Sequence, residues 1–155
     1  MTKLIYLASD HGGVDLKDHL AKYLETKGYT VKDLGTNGKE SVDYPDFANE
    51  MAEALKDEPD AFGLLICGSG IGISIAANRH SHIRAALVNE ETSAKLARQH
   101  NNANVLCLGG RLSGSTLSEA CVDAFLSTPF EGGRHERRVE KLSKTSSSSN
   151  AESNA

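Results

Sequence analysis

Residues Leu64–Arg79 read LLICGSGIGISIAANR. A continuous apolar run of strand length ends in one cysteine, Cys67, then a glycine-rich turn opens a stretch of small residues with helical character. That order suits a buried parallel strand feeding a helix that covers the sheet. The alternation continues on both sides. Upstream, KLIYLAS precedes a helix expected from Gly13 to Lys27, in which Leu16, Leu20, Tyr23 and Leu24 share one apolar face and Gly28 ends the helix. YTVKDL is the second strand, and the loop GTNGKESVDYP leads to a helix starting near Pro45, whose fixed φ suits a first helical position. The opening run belongs to a third strand, FGLLIC; IRAALV is the fourth and NVLCLGG the fifth. Further helices are expected over about 70–79, 90–99 and 113–127, and a last one over about 132–144 beyond Pro129. The pattern predicts an α/β fold: a three-layer α/β/α sandwich around a five-stranded parallel, Rossmann-like sheet.

The chain's 155 residues hold one domain, expected over residues 1–144. Residues 145–155, TSSSSNAESNA, lack apolar periodicity and read as a disordered, serine-rich tail. A net charge of −4 gives no global basic field, so no nucleic-acid partner is expected and anion recognition must be local. No apolar run approaches the roughly 20 residues of a membrane span, and the start MTKLIYLASDHGG lacks a signal-peptide pattern. The expectation is a cytoplasmic protein with no membrane partner. Three cysteines, Cys67, Cys107 and Cys121, form no CxxC pair and read as reduced thiols, the last two within apolar runs.

Parallel α/β sheets bind ligands outside the carboxyl ends of their strands, so chemistry is sought just after each apolar run. Those positions hold Asp10 and His11 in SDHGG, Cys67 with GSGIG, Asn89 and Glu90, and Arg111 in GGR. Glycines in Gly68–Gly72 let backbone N–H groups approach an anion, although the same composition also makes a plain strand-to-helix turn. A thiol at a helix start has its thiolate favoured; equally, a cysteine can end a buried strand as a small hydrophobe. His100 in RQHNNANVL falls at a helix C-terminus, where a cap and a catalyst are both served. Arg134 and Arg138 stand four apart in EGGRHERRVEKL, with Arg137 three from Arg134, a spacing that can clamp a phosphate or simply face solvent. His80 and His82 alternate in NRHSHIR without a third ligand nearby, and no metal is expected.

Together ASDHGG, DYPDFA, ICGSGIGISIAANR, RQHNNANVLCLGGR and EGGRHERRVEKL resemble the type B ribose-5-phosphate isomerases, within a wider family that includes galactose-6-phosphate and allose-6-phosphate isomerases. The resemblance runs from about Lys3 to Leu142. It implies aldose–ketose isomerisation of ribose 5-phosphate and ribulose 5-phosphate through a cis-enediolate, in the non-oxidative pentose phosphate pathway, without metal or organic cofactor. By the same resemblance Cys67 is the base at C1 and C2. Some members use a glutamate in the following helix, where this chain has GISI. The amides of Gly68, Ser69, Gly70, Ile71 and Gly72 would hold the oxyanion. His100 would be the acid that opens the furanose, with Asp10 and His11 positioning hydroxyls and Asn101 touching the enediolate. Arg111, Arg134 and Arg138 would bind the phosphate, with Tyr44 lining its pocket. The resemblance also implies a homodimer or tetramer with shared sites: one subunit supplies Cys67 and its loop, the other His100, Asn101 and Arg111. The last helix would pack at the dimer interface.

Two other readings stay open at this point. The same enediolate chemistry serves allose 6-phosphate or galactose 6-phosphate. A phosphosugar-binding module would need the arginines but neither Cys67 nor His100.

Overall fold

The structure, a computed structural model, describes residues 3–144; the expected serine-rich tail lies outside the described residues. Five strands, β1 (Leu4–Ser9), β2 (Thr30–Asp33), β3 (Phe62–Cys67), β4 (Ala85–Leu87) and β5 (Val105–Gly109), form one sheet. All pairings are parallel, in the order β2-β1-β3-β5-β4. Six helices follow the strands: α1 (Val14–Thr26), α2 (Tyr44–Leu55), α3 (Ile71–Ala77), α4 (Glu91–Asn101), α5 (Ser115–Ser127) and α6 (Arg134–Leu142).

Alternation along the central strands divides the core into two faces. Ile5, Leu7, Leu64, Ile66, Leu106 and Leu108 meet the apolar stripes of α1, α4 and α5. Tyr6, Ala8, Leu65, Cys67, Val105 and Cys107 meet α2 and α3. Leu16, Leu20 and Leu24 are buried as their spacing predicts, whereas Tyr23 is half-buried and its hydroxyl donates to Asp123 Oδ2 on α5 at 2.5 Å.

The chain leaves β1 toward β2 on one side and returns to β3 on the other. The carboxyl ends of β1 and β3 therefore flank a topological switch point, where parallel sheets leave a crevice. Asp10 and His11 follow β1, and Cys67 ends β3.

Boundaries differ from the sequence expectation where side chains intervene. The fourth strand shortens to Ala85–Leu87 because the Arg84 amide donates to Asn104 Oδ1 at 2.7 Å, outside the sheet's ladder. α4 runs on to Asn101 and stops where Asn102 turns left-handed at φ 46°. Glu90, a candidate on the rim, is spent as the α4 cap, accepting from the amides of Thr92 and Ser93.

Candidate active site

The sheet's carboxyl end gathers one group of candidates. The Cys67 side chain turns toward α2 and α3 and is 4% exposed. The Gly70 amide donates to Cys67 Sγ at 3.1 Å, so an N–H of the glycine turn already faces the sulfur. Gly70 holds φ 80°, and a Cβ there would stand 2.6 Å from Leu87 Cδ1 and 2.9 Å from the Leu108 carbonyl carbon. No other residue type fits this position. The Ser69 hydroxyl accepts from the Ile71 amide at 3.1 Å, steadying the first turn of α3. A Cβ on Gly72 would meet the Tyr44 ring at 2.6 Å, which places Tyr44 over the same turn, at the start of α2.

The neighbouring loops close on this turn. Asp10 is buried and accepts from the Gly12 amide at 2.9 Å, fixing the single 3₁₀ turn His11–Gly13. A Cβ on Gly12 would lie 3.2 Å from the Gly68 amide nitrogen. His11 Nδ1 accepts from the Val42 amide at 3.2 Å, which leaves Nε2 as the ring's N–H donor. The Arg111 amide donates to the Gly68 carbonyl at 3.0 Å, and a Cβ on Gly68 would lie 3.3 Å from Arg111 Nη1. Arg111 therefore sits beside the Cys67 loop of its own chain. The expectation that it accompanies His100 from another subunit is corrected here, because Cys67 and Gly109 are paired across β3 and β5 and carry both loops together.

His100 and Asn101 stand elsewhere. α4 runs antiparallel to the strands, so its last turn lies at the amino end of β5, while Cys67 pairs with Gly109 at the carboxyl end. With about 3.3 Å of rise per residue, Val105–Gly109 alone separates the two ends by roughly 13 Å. At that far end His100, Asn101, His135 and Arg138 line an open hollow of about 310 Å³ with Val139 and Leu142 of α6. The His100 and His135 rings stack, centroids 4.4 Å apart and planes at 13°. Burial, then the charges of His100 and Arg134, hold the His135 imidazole below its ordinary value, with Glu131 pulling weakly the other way. Arg134 and Arg138 are both exposed on α6, beside this hollow rather than beside Arg111.

The family model for ribose/galactose isomerases matches residues 5–142. The chain belongs to that family. Ribose-5-phosphate isomerase B of Escherichia coli K12 is 45% identical over 140 residues, covering 90% of this chain and 94% of that protein. A ribose 5-phosphate isomerase structure from Thermotoga maritima is 50% identical, with a TM-score of 0.91 over 94% of this chain and 100% of that one. The Mycoplasma genitalium ribose-5-phosphate isomerase B, solved with bound ribulose-5-phosphate, is 46% identical with a TM-score of 0.88, over 92% of this chain and 95% of that one.

Several supporting residues of the chain carry no sequence signal. Lys17 sits on the apolar side of α1, fully buried, and its Nζ donates to Asp33 Oδ2 at 2.6 Å and Asn37 Oδ1 at 3.1 Å. It ties α1 to the segment that delivers the Val42 amide to His11. Glu131 and His135 join His100 only because the turn before α6 folds back onto α4: the Glu131 amide donates to the Gln99 carbonyl at 3.1 Å. His80 and His82 are spent structurally, the first against Asn49 Oδ1 at 2.8 Å and the second against the Ala52 carbonyl at 2.7 Å.

Proposed function

We propose that the chain interconverts D-ribose 5-phosphate and D-ribulose 5-phosphate through a cis-enediolate, at sites built from two copies of the chain. The observation that carries this reading is the Gly70 N–H facing Cys67 Sγ at 3.1 Å, at the switch point of the sheet. The thiol, held by the Gly70 N–H, and the other amides of the turn then flank the same two carbons.

Isomerisation of the open sugar moves one proton between carbons. The Cys67 thiolate takes the proton from C2 of the aldose, and the electron pair passes into the C1 carbonyl, whose oxygen becomes the enediolate oxyanion. Returning the proton from sulfur to C1, with a hydroxyl proton passing between O1 and O2, gives the ketose. Amides from Gly68 to Gly72 meet the developing charge, each such donor being worth about 2.7–4 kcal/mol. Asp10 and His11, fixed by the Gly12 and Val42 amides, hold sugar hydroxyls. Opening the furanose needs a proton at the ring oxygen, a role assigned to His100, with Asn101 beside it. Arg111 approaches the phosphate from the Cys67 side, and Arg134 and Arg138 from the His100 side.

The two halves lie at opposite ends of one chain, which supports a site completed by a second copy. α3 runs from the Cys67 loop toward the far end, and its outer face leaves Ile71 and Ile75 51% and 53% exposed. Below it a hollow of about 340 Å³ is lined by Asn78, Ala85, Asn101 and the 58%-exposed Leu142. A two-fold axis across this stripe packs α3 antiparallel to its mate. That operation brings the foot of one copy, with His100 and Asn101, to the Cys67 loop of the other. α6 then borders the interface through Leu142. No helix among the described residues is long and apolar enough to cross a membrane. Three unpaired, buried thiols suit a reducing compartment, and the chain is assigned to the cytoplasm as one sugar-phosphate isomerase domain over residues 1–144.

The direct test follows interconversion of the two pentose phosphates with chelator present, in the parent and in Cys67→Ala. Turnover in the parent that collapses in the variant supports the reading. Turnover surviving in Cys67→Ala, or appearing only with a 6-phosphate sugar, overturns the base or the substrate.

A further inference from the structure

The isomerisation makes no use of Lys17, yet the fold buries its ammonium completely. For stability alone, a well-packed apolar side chain serves such a position as well as a buried ion pair does. What the ammonium adds is direction. Its Nζ donates to Asp33 Oδ2 at 2.6 Å, at the end of β2, and to Asn37 Oδ1 at 3.1 Å, in the loop that follows. A third contact, to Asp18 Oδ1 at 3.3 Å, stays within α1. The bonds beyond Lys17 lead to the site. Asp33 Oδ1 accepts from the Gly35 amide at 2.8 Å. The Ser9 amide then donates to the Gly35 carbonyl at 2.7 Å, and the Thr36 amide to the Ser9 carbonyl at 2.8 Å, which stitches the loop to the end of β1 just before Asp10 and His11. From Asn37 the chain runs without helix or strand to Val42, whose amide donates to His11 Nδ1 at 3.2 Å. Another tie from this loop to α1, Lys39 Nζ to Asp15 Oδ1, is exposed at both ends, and such pairs hold little.

We propose that Lys17 is a positioning residue: its buried ammonium fixes the loop between β2 and α2, and the loop's Val42 amide holds the His11 ring with Nε2–H free for a sugar hydroxyl. The positioning stands on the hydrogen bonds of the free protein. Its effect on substrate rests on the function proposed above, in which His11 holds a hydroxyl of the bound sugar.

Exchange of the Val42 amide proton is followed by NMR in the full chain without substrate, and kcat and KM for ribose 5-phosphate are measured on the same proteins. Asn37→Ala, at an exposed position, removes the loop's own acceptor, whereas Asn37→Asp keeps an oxygen for Nζ. Asp18→Asn takes a carboxylate from the same ammonium but nothing from the loop. In Asn37→Ala, Val42 should exchange at least about threefold faster than in the parent. KM should rise about two- to tenfold with kcat within about twofold, the size of one weakened hydrogen bond to the sugar. Asn37→Asp should restore both values, and Asp18→Asn should leave both parental. Lys17→Met, where it folds, should exceed Asn37→Ala in both. Parental exchange at Val42 in Asn37→Ala, an equal change in Asp18→Asn, or faster exchange with unchanged KM overturns the role given to Lys17. The two claims fail separately: a parent that turns over neither pentose phosphate defeats the isomerase reading, while Val42 exchange still decides the positioning.

Discussion

Replacing Gly70 by alanine puts the thiol–amide contact under direct strain. Gly70 holds φ 80°, a left-handed conformation costing an L-residue about 1–2 kcal/mol. The new Cβ would also stand 2.9 Å from the Leu108 carbonyl carbon, and backbone cannot step aside as the Leu87 methyl at 2.6 Å can. Forcing a methyl into such packing costs about 1–3 kcal/mol more, so the total is about 2–5 kcal/mol. Gly28→Ala is the matched control, since Gly28 has φ 92° with nothing within 4 Å of its Cβ position, and it should lose only the left-handed cost of about 1–2 kcal/mol. Relief of the clash moves the Gly70 amide away from Cys67 Sγ and displaces the neighbouring amides of the turn, and loss of one oxyanion donor among them lowers kcat about 10²–10³-fold. Urea unfolding at fixed protein concentration reads the first effect, and isomerase turnover reads the second. Gly70→Ala as stable as Gly28→Ala, or with parental kcat, would refute the role given to this turn.

Two further expectations follow from burial and charge. Burial, with Cys67 close by, pushes the Cys107 thiol far up, and burial pushes Cys121 up to about 11, so neither supplies thiolate near neutral pH. Alkylation of the native protein, mapped by mass spectrometry, should modify Cys67 alone and slow when ribose 5-phosphate is added; early labelling of Cys121 would contradict this. His135 has its folded value lowered, so its contribution to stability is fully present above the unfolded value near 6.5 and is lost as pH falls through the folded value. The parent should lose stability below that pH more steeply than His135→Gln, as followed by thermal unfolding; parallel curves would contradict the shift.

Much of the fold is legible because its signals are local. An apolar run ending in Cys67, glycines at 68, 70 and 72, and the stripe Leu16, Leu20, Leu24 each report on their own element. The carboxyl-end half of the site is legible for the same reason, since the switch-point rule points to whatever follows β1, β3 and β5. The partition of the site is harder to read. Arg111 and His100 lie only 11 positions apart, yet β5 carries them to opposite ends of the sheet. Lys17 looks like a solvated residue on a helix; its burial depends on Asp33 and Asn37, which reach it through the turn after β2. The His100–His135 stack depends on α6 folding back on α4, a long-range contact that neither helix's periodicity records.

The central claim is that Cys67 of one copy works with His100 of another. Cys67→Ala and His100→Ala chains, each inactive, are unfolded together in equal amounts and refolded to allow exchange. In a two-fold dimer half of the assemblies are mixed, and each mixed assembly has one intact site and one doubly damaged site, so about a quarter of parental activity should return. Mixed assemblies demonstrated by mass, but with no activity above either variant alone, would contradict the shared site.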